Sequence, residues 1–318
     1  MFYSCTALWL ASFMTEELKL IVILMSLSKM FGKELLEEGL FQLVKRTSLK
    51  IPEDVLNALK KAFEAEESDL ARSQLEALIK NTELASKEGL PICQDTGTPT
   101  FFVELGEDFP IRNLKPIFEE VIRKATSEVP LRPNAVDPFT GKNSGDNVGR
   151  FVPIIHYEIV PGDDLVVKFM PKGGGSANTS KLHMISPGLG IKGVKEVVLR
   201  TVFEAGAKPC PPIIVGVGIG GAEDFAMVLA KKALFRRLDE RNPDENIAKL
   251  EEELLTLLNS LGIGPMGVGG KVTVLEVSIE WAHRHPASLP VGVCTMCWAS
   301  RRGIAKFRSD GSYEILMP

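Results

Sequence analysis

The strongest constraint on the fold of this chain is a change of texture at Cys93. Before it, from about Lys33 to Lys87, apolar residues recur near the helical period: Leu56, Leu59 and Phe63, then Leu70, Leu75, Leu78 and Ile79, set among many Glu and Lys. Pro52 is placed to open one helix and Gly89 to close the last. After Cys93 the runs shorten and become β-rich: "TFFVEL", "FVPIIHYEIV", "DLVVKFM", "PIIVGVGI" and "KVTVLEVSIEW", separated by glycine and proline turns. Helices are predicted between them near 113–128, 189–206, 223–238 and 244–260. The expected fold is one α+β domain, a helical lead-in followed by small mixed β-sheets flanked by helices.

Bulk properties narrow the function classes. With 318 residues, 45% hydrophobic and 25% charged, the chain has enough apolar surface for a sizeable core. A net charge of -4 leaves no broad basic surface for phosphate backbones, so no nucleic-acid partner is expected. Five scattered cysteines do not make a disulfide scaffold and point to a reducing cytoplasm. Residues 1–30 differ from the rest. "MFYSCTALWLASF" lacks a basic start, "TEELK" interrupts it, and neither it nor "LIVILMSL" reaches the roughly eighteen residues of a spanning helix. They are expected to form a poorly packed extension, or to reflect a start placed ahead of Met25 or Met30. Residues 31–318 are expected to form a single working domain, no membrane association is expected, and Cys5 is expected to be an incidental thiol.

Three glycine clusters each carry a structural and a functional reading. "VGVGIGG" at 215–221 matches GxGxxG through Gly216, Gly218 and Gly221, but the charged helical stretch after it lacks the second parallel strand of a dinucleotide fold, which leaves close helix packing. "KGGGSANTS" at 172–180 exposes consecutive backbone N–H groups beside Lys172, either an anion-holding nest or a hairpin loop. "GIGPMGVGGK" at 262–271 is compatible with a packed bend and is assigned no role.

The cysteines carry the sharper signal. Cys93 sits beside Gln94 and Asp95 in "PICQDTG", Cys210 in "KPCPP", and Cys294 and Cys297 in "CTMC". Their spacing is not that of paired zinc knuckles, and no thioredoxin-like context surrounds the CxxC. Inert buried thiols, a zinc site and an iron–sulfur site all remain open on spacing alone. Three thiolates on a cluster would leave one iron free of protein ligands and able to act as a Lewis acid, with Gln94 and Asp95 as its polar neighbours and an arginine for a substrate carboxylate.

Six ordered stretches, "PICQDTGTPTFFV", "PLRPNAVDP", "KGGGSANTSKLHM", "AKPCPPIIVGVGIGG", "RHPASLPVG" and "CTMCWASRRG", resemble the N-terminal catalytic domain of class I, iron–sulfur-dependent fumarate hydratases in their two-subunit form. The tartrate dehydratase alpha chain shares most of them. The resemblance implies a 4Fe–4S cluster at the centre of the fold held by Cys93, Cys210 and Cys297, with Cys294 a nearby thiol. It implies catalytic roles for Gln94, Asp95 and His285, the last presented across a dimer interface, and substrate binding by Arg132, Lys172, Gly173, Gly174, Gly175 and Ser176. The implied reaction is reversible hydration of fumarate to (S)-malate, with tartrate or mesaconate as alternative dicarboxylates. The proton-abstracting threonine and further basic contacts belong to a C-terminal domain that the two-subunit form carries on a beta subunit, so an obligate beta partner and an α2β2 assembly are expected. His156, His183 and His283 are expected to be structural, and Arg301 and Arg302 to form solvated ion pairs. Outside enzymes, the alternative is a metal-binding regulatory module.

Overall fold

Three helices lead the chain, and local chemistry sets their ends. The computed structural model describes the backbone of residues 16–317 and the side chains of residues 32–317. Helix α1 spans Glu16–Leu49, α2 Glu53–Ala65 and α3 Asp69–Glu88. Pro52 is the residue before α2, as its fixed φ and missing N–H favour, and the Ser68 hydroxyl accepts the Ala71 N–H at the start of α3. Gly89 ends α3 in the left-handed region at φ 65°, where a side chain would be strained. The backbone of α1 runs without a break from Glu16, so the latter half of the expected 1–30 extension is continuous with the lead-in, while residues 1–15 and Cys5 lie outside the described residues. No helix among the described residues is long and apolar enough to cross a membrane.

Beyond the lead-in lie two mixed sheets. The first has the order β2-β1-β3-β8-β9, built from β1 (Thr98–Gly106), β2 (Ile154–Val160), β3 (Leu165–Lys172), β8 (Gly303–Phe307) and β9 (Tyr313–Met317). β1 and β2 run parallel, and the other pairs are antiparallel. The period-2 alternation of strands sends Phe101, Val103, Val167 and Phe169 to one face, against α1 and helix α4 (Lys115–Glu128). Phe102 and Met170 point to the other face.

The second sheet has the order β4-β7-β5-β6, with β4 Lys181–Ile185, β5 Ile213–Gly221, β6 Val274–Arg284 and β7 Leu289–Met296. Val215, Val217, Val291 and Val293 pack against α6 (Gly190–Ala205) and α8 (Glu245–Asn259). The opposite face of β5 meets α7 (Glu223–Ala233) at unusually close range. A Cβ on Gly216 would lie 2.0 Å from the Ala230 carbonyl oxygen, and one on Gly218 2.0 Å from that of Ala226. Close helix packing is thus what the GxGxxG pattern encodes. The expected lack of a parallel partner needs correcting: β6 does return parallel to β5, but two helices later, beyond the span read from sequence.

A third cluster lies between the sheets and anchors the site. Val55, Leu59, Leu75 and Leu78 of α2 and α3 pack with Phe102 and Met170 of the first sheet and with Ile214, Cys294, Met296 and Trp298 near the end of the second. Cys210 and Cys297 sit at its margin, partly buried. The expected α+β class, with its helical lead-in and small mixed sheets, is what the chain adopts.

Gly218→Ala is expected to lower stability by about 3 kcal/mol, because a backbone carbonyl has nowhere to move and overpacking typically costs about 1–3 kcal/mol. A thermal unfolding midpoint equal to that of the parent chain would contradict the close-packing account.

Candidate active site

The Cys93 turn is shaped by a carboxylate. One oxygen of Asp95 (Oδ1) accepts the Gly97 N–H at 3.0 Å, and the other (Oδ2) accepts the Gly174 N–H at 2.7 Å. The Asp95 N–H in turn points at the Cys93 sulfur, at 3.4 Å. Gly97 has φ 81°, and a Cβ there would lie 2.5 Å from the Pro171 carbonyl carbon, so only glycine lets this turn lie on the end of β3. Gln94 is exposed beside it.

Thr96 joins this turn to the "PLRPN" segment. Its hydroxyl donates to the Arg132 carbonyl at 3.1 Å and accepts the Arg132 N–H at 3.0 Å. The buried Asn147 braces the same segment, accepting the Asn134 N–H at 2.6 Å and donating to the Arg132 carbonyl at 3.2 Å. The Arg132 backbone is therefore fixed while the residue itself is exposed.

Cys210 and Cys297 are joined through backbone. Cys210 has φ 56°, a left-handed conformation rare for a side-chain-bearing residue, and its carbonyl accepts the Trp298 N–H at 3.3 Å. Burial pushes the Cys210 thiol up, and the neighbouring Cys93 and Asp95 push it further. Burial also raises Cys297, against the pull of Arg301, an Ala299 N–H bond and Lys172. The Trp298 N–H bond to the Cys210 carbonyl and the Arg301 bond to the Asp95 carbonyl link the segments that carry Cys93, Cys210 and Cys297. All three are partly accessible, whereas Cys294 is 0% exposed in the core, its sulfur accepting from the Ser180 hydroxyl at 3.5 Å. Among the described residues no three His, Cys, Asp or Glu side chains are close enough to hold a single metal ion. A zinc ion, with ligand bonds of about 2.0–2.3 Å, therefore does not fit the thiols as they stand.

Lys172 closes the site from below. It is 6% exposed, and its Nζ donates to the Ser176 hydroxyl at 2.8 Å and the Thr295 carbonyl at 2.7 Å. Burial pushes its pKa down, while Cys294, Cys297 and Asp95 oppose that fall. Gly173 leads into the single turn α5 (Gly174–Ala177), so "KGGGS" is neither a hairpin nor a free anion nest. The anion that its Gly174 N–H holds is the Asp95 carboxylate. Gly173 and Gly174 lie against that carboxylate, Gly175 is exposed, and Ser176 is buried beneath them.

The two arginines of "SRRG" are not solvated, which corrects the sequence expectation. Arg301 is 2% exposed and Arg302 1%. Arg301 donates through Nη2 to the Asp95 carbonyl at 2.8 Å, and its Nε and Nη1 have no partner. Arg302 pairs with the buried Asp54 of α2, whose Oδ2 also takes the Leu238 N–H at 2.7 Å. Sequence reasoning missed the roles of Thr96, Asn147 and Thr295 as well. Nothing marks them in the sequence except proximity to the motifs.

His285 is not brought to this group within one chain. It is exposed at the β6–β7 turn, its Nδ1 accepting the Ala287 N–H at 3.1 Å. With about 3.3 Å per strand residue, the length of β7 alone keeps it roughly 25 Å from Cys297. The remaining histidines lie elsewhere: His183 bonds Thr201 at 2.8 Å, His283 is exposed near Trp281, and His156 stacks on Phe102 at 4.6 Å. His156 also lines a cleft of about 710 Å³ with Tyr157, Phe225, Lys232 and Phe235, in which no cysteine takes part. Donor chemistry, not cavity size, identifies the site.

Residues 37–306 match the family model described as fumarate hydratase (Fumerase). A Methanocaldococcus jannaschii protein provisionally named L(+)-tartrate dehydratase subunit alpha is 47% identical over 274 residues, covering 85% of this chain and 96% of that one. The L(+)-tartrate dehydratase subunit alpha of Escherichia coli (strain UTI89 / UPEC) is 38% identical over 271 residues, 85% of this chain and 89% of its own. A Geobacillus stearothermophilus protein provisionally named fumarate hydratase class I is 38% identical over 278 residues, 85% of this chain but 54% of that longer one.

Asp54→Ala would leave the Arg302 guanidinium buried without its carboxylate. Breaking a buried pair in this way costs about 3–5 kcal/mol, so a large drop in the urea midpoint is expected. A drop no bigger than that of an exposed Glu→Ala control would show that Asp54 does not support the turn carrying Arg301 and Arg302.

Proposed function

The chain belongs to the fumarate hydratase (Fumerase) family, a family of hydro-lyases, and from that premise we propose that it is the alpha subunit of a two-subunit fumarate hydratase interconverting fumarate and (S)-malate. The observation that supports the proposal is a chain of hydrogen bonds between the three cysteine segments: Arg301, just after Cys297, donates to the Asp95 carbonyl beside Cys93, and the Trp298 N–H donates to the Cys210 carbonyl.

The donor set suits a 4Fe–4S cluster. The thiols are partly accessible, and two buried cationic side chains, Lys172 and Arg301, donate to the Thr295 and Asp95 carbonyls, each two residues from a cysteine. Cys93, Cys210 and Cys297 would hold the cluster, and Cys294, sunk in the core, would not. When bound, the cluster supplies a Lewis-acidic iron with open positions for substrate oxygens.

The chain's own residues supply binding and orientation. Arg132, fixed at the backbone and accessible at the side chain, offers a fork of donors to a substrate carboxylate. The Gln94 amide is exposed beside the thiols for a second polar contact. Each Asp95 oxygen already accepts one backbone N–H, which leaves lone pairs for a substrate hydroxyl while the turn stays rigid. Gly173, Gly174 and Gly175 bring the wall close to that carboxylate, with Ser176 and Lys172 buried behind them as support. His285 would reach the site of a second copy across a dimer interface. The base that takes the C3 proton would come from a beta subunit in an α2β2 assembly in the reducing cytoplasm. Support for a partner lies in the relatives named as alpha subunits.

Those same names favour a second reading, dehydration of L(+)-tartrate. The test is anaerobic co-expression with the beta chain, metal and sulfide analysis, and turnover of fumarate, mesaconate and L(+)-tartrate. Iron and sulfide in cluster ratio are expected, with fumarate the best substrate and no turnover by this chain alone. Cys93→Ala, Cys210→Ala and Cys297→Ala should each lose iron and activity, whereas Cys294→Ala should keep its iron. Preferred turnover of tartrate would decide for the second reading. Full activity without the beta chain would end the split-site proposal, and bound zinc indifferent to dicarboxylates would mark a regulatory module instead.

A further inference from the structure

We infer that Arg301 is a positioning residue of the proposed cluster site: it ties the Asp95 turn to the Cys297 turn and supplies a buried positive charge that balances the thiolates. The inference rests on the cluster reading above.

A guanidinium keeps its charge at any pH a protein meets, so a buried arginine needs an anion close by. Arg302, buried like Arg301, has one, and so has the partly buried Arg236. Arg302 pairs with Asp54, and Arg236 pairs with Glu251 and Glu280. Arg301 has no carboxylate within ion-pair distance among the described residues, and neither has Lys172. What Arg301 does meet is the Asp95 carbonyl, at 2.8 Å, two residues beyond Cys93, while Arg301 itself follows Cys297 by four residues. Lys172 donates to the Thr295 carbonyl, two residues before Cys297, at 2.7 Å. Two buried cations without carboxylates therefore brace the cysteine segments, and thiolates are the anions this arrangement can neutralise.

The placement argues against a substrate-binding role for Arg301. Its Nε and Nη1 are shut off from solvent, whereas Arg132 is exposed. The hydrogen bond to the Asp95 carbonyl also makes Arg301 a brace, locking the main chain next to Cys93 onto the segment that follows Cys297. Two ligand-bearing turns far apart in sequence thereby share one rigid link.

The test uses the full chain co-purified with its beta partner under anaerobic conditions, as Arg301→Gln and Arg301→Lys. Two readouts are taken besides turnover: the midpoint potential of the cluster from a redox titration followed by electron paramagnetic resonance, and the rate of iron loss to a chelator. Arg301→Gln removes the charge, so the reduced cluster loses stabilisation; a lower potential and severalfold faster iron loss are expected. Arg301→Lys keeps the charge without the planar fork, so the potential should stay near that of the parent while iron loss still quickens. An Arg301→Gln protein with the parent's potential and iron retention overturns the inference. If that variant does not accumulate, Arg301→Lys decides: a strongly displaced potential overturns the charge-balancing role, and an unchanged one supports it. A parent complex without iron and sulfide overturns the cluster reading itself, and this inference with it.

Discussion

The bridge from the Asp95 carboxylate to the Gly97 and Gly174 N–H groups is the interaction on which the rest of the site depends. One oxygen shapes the turn that carries Cys93, and the other fastens that turn to the segment leaving β3. A carboxylate accepting backbone N–H groups makes charge-assisted bonds, roughly twice as strong as neutral ones. Because Thr96 then holds Arg132 and Arg301 holds the Asp95 carbonyl, a single aspartate indirectly sets the relative positions of four segments. Glycine at 97 and 173 follows from the same contact, since both must lie against other main chain or against the carboxylate itself.

The layered fold explains why the thiols gather where they do. Each sheet has one face committed to its own helices; the remaining face of the first sheet, and the end of the second beside α7, meet α2 and α3 in the middle cluster. Cys210 precedes β5, Cys297 follows β7, and Cys93 precedes β1, so all three lie just beyond strand ends at the border of that cluster. β5 and β7 are antiparallel neighbours, with Ile214 opposite Met296, and this pairing brings Cys210 and Cys297 to the same end of the sheet. Strand register, more than any local preference, is what makes neighbours of two residues so far apart along the chain.

Much of the fold was legible because its signals are local. Pro52 and Gly89 mark helix ends through their own backbone limits, and the long alternating runs of β1, β3 and β6 declare themselves. The five-residue strands β4, β8 and β9 carry too little pattern to stand out, and their places come from tertiary pairing. The site shows the same division. Cys93, Asp95, Cys210 and Lys172 announce themselves by type and by glycine and proline neighbours. The burial of Arg301 and Arg302 runs against their composition-based expectation, because only the folded chain shows Asp54 facing Arg302 and the Asp95 carbonyl meeting Arg301. Likewise "KGGGS" looks like a nest for an outside anion, when the anion is supplied by the protein 79 residues away.

The distribution of polar groups also says what kind of enzyme the proposed reading requires. Arg132 and Gln94 are exposed, Cys93, Cys210 and Cys297 are partly accessible, and Lys172 and Arg301 are buried and donate to protein carbonyls. Each Asp95 oxygen is already engaged by a backbone N–H, and His285 lies beyond the far end of β7. A hydro-lyase must both hold the departing oxygen and take a proton from the adjacent carbon, and general bases work only within hydrogen-bond reach. One wall of such a site has its donors here and the opposite wall is left to other surfaces. On this reading, division into subunits is a consequence of geometry: the segment that positions the ligands is too fully used in holding them to supply the base as well.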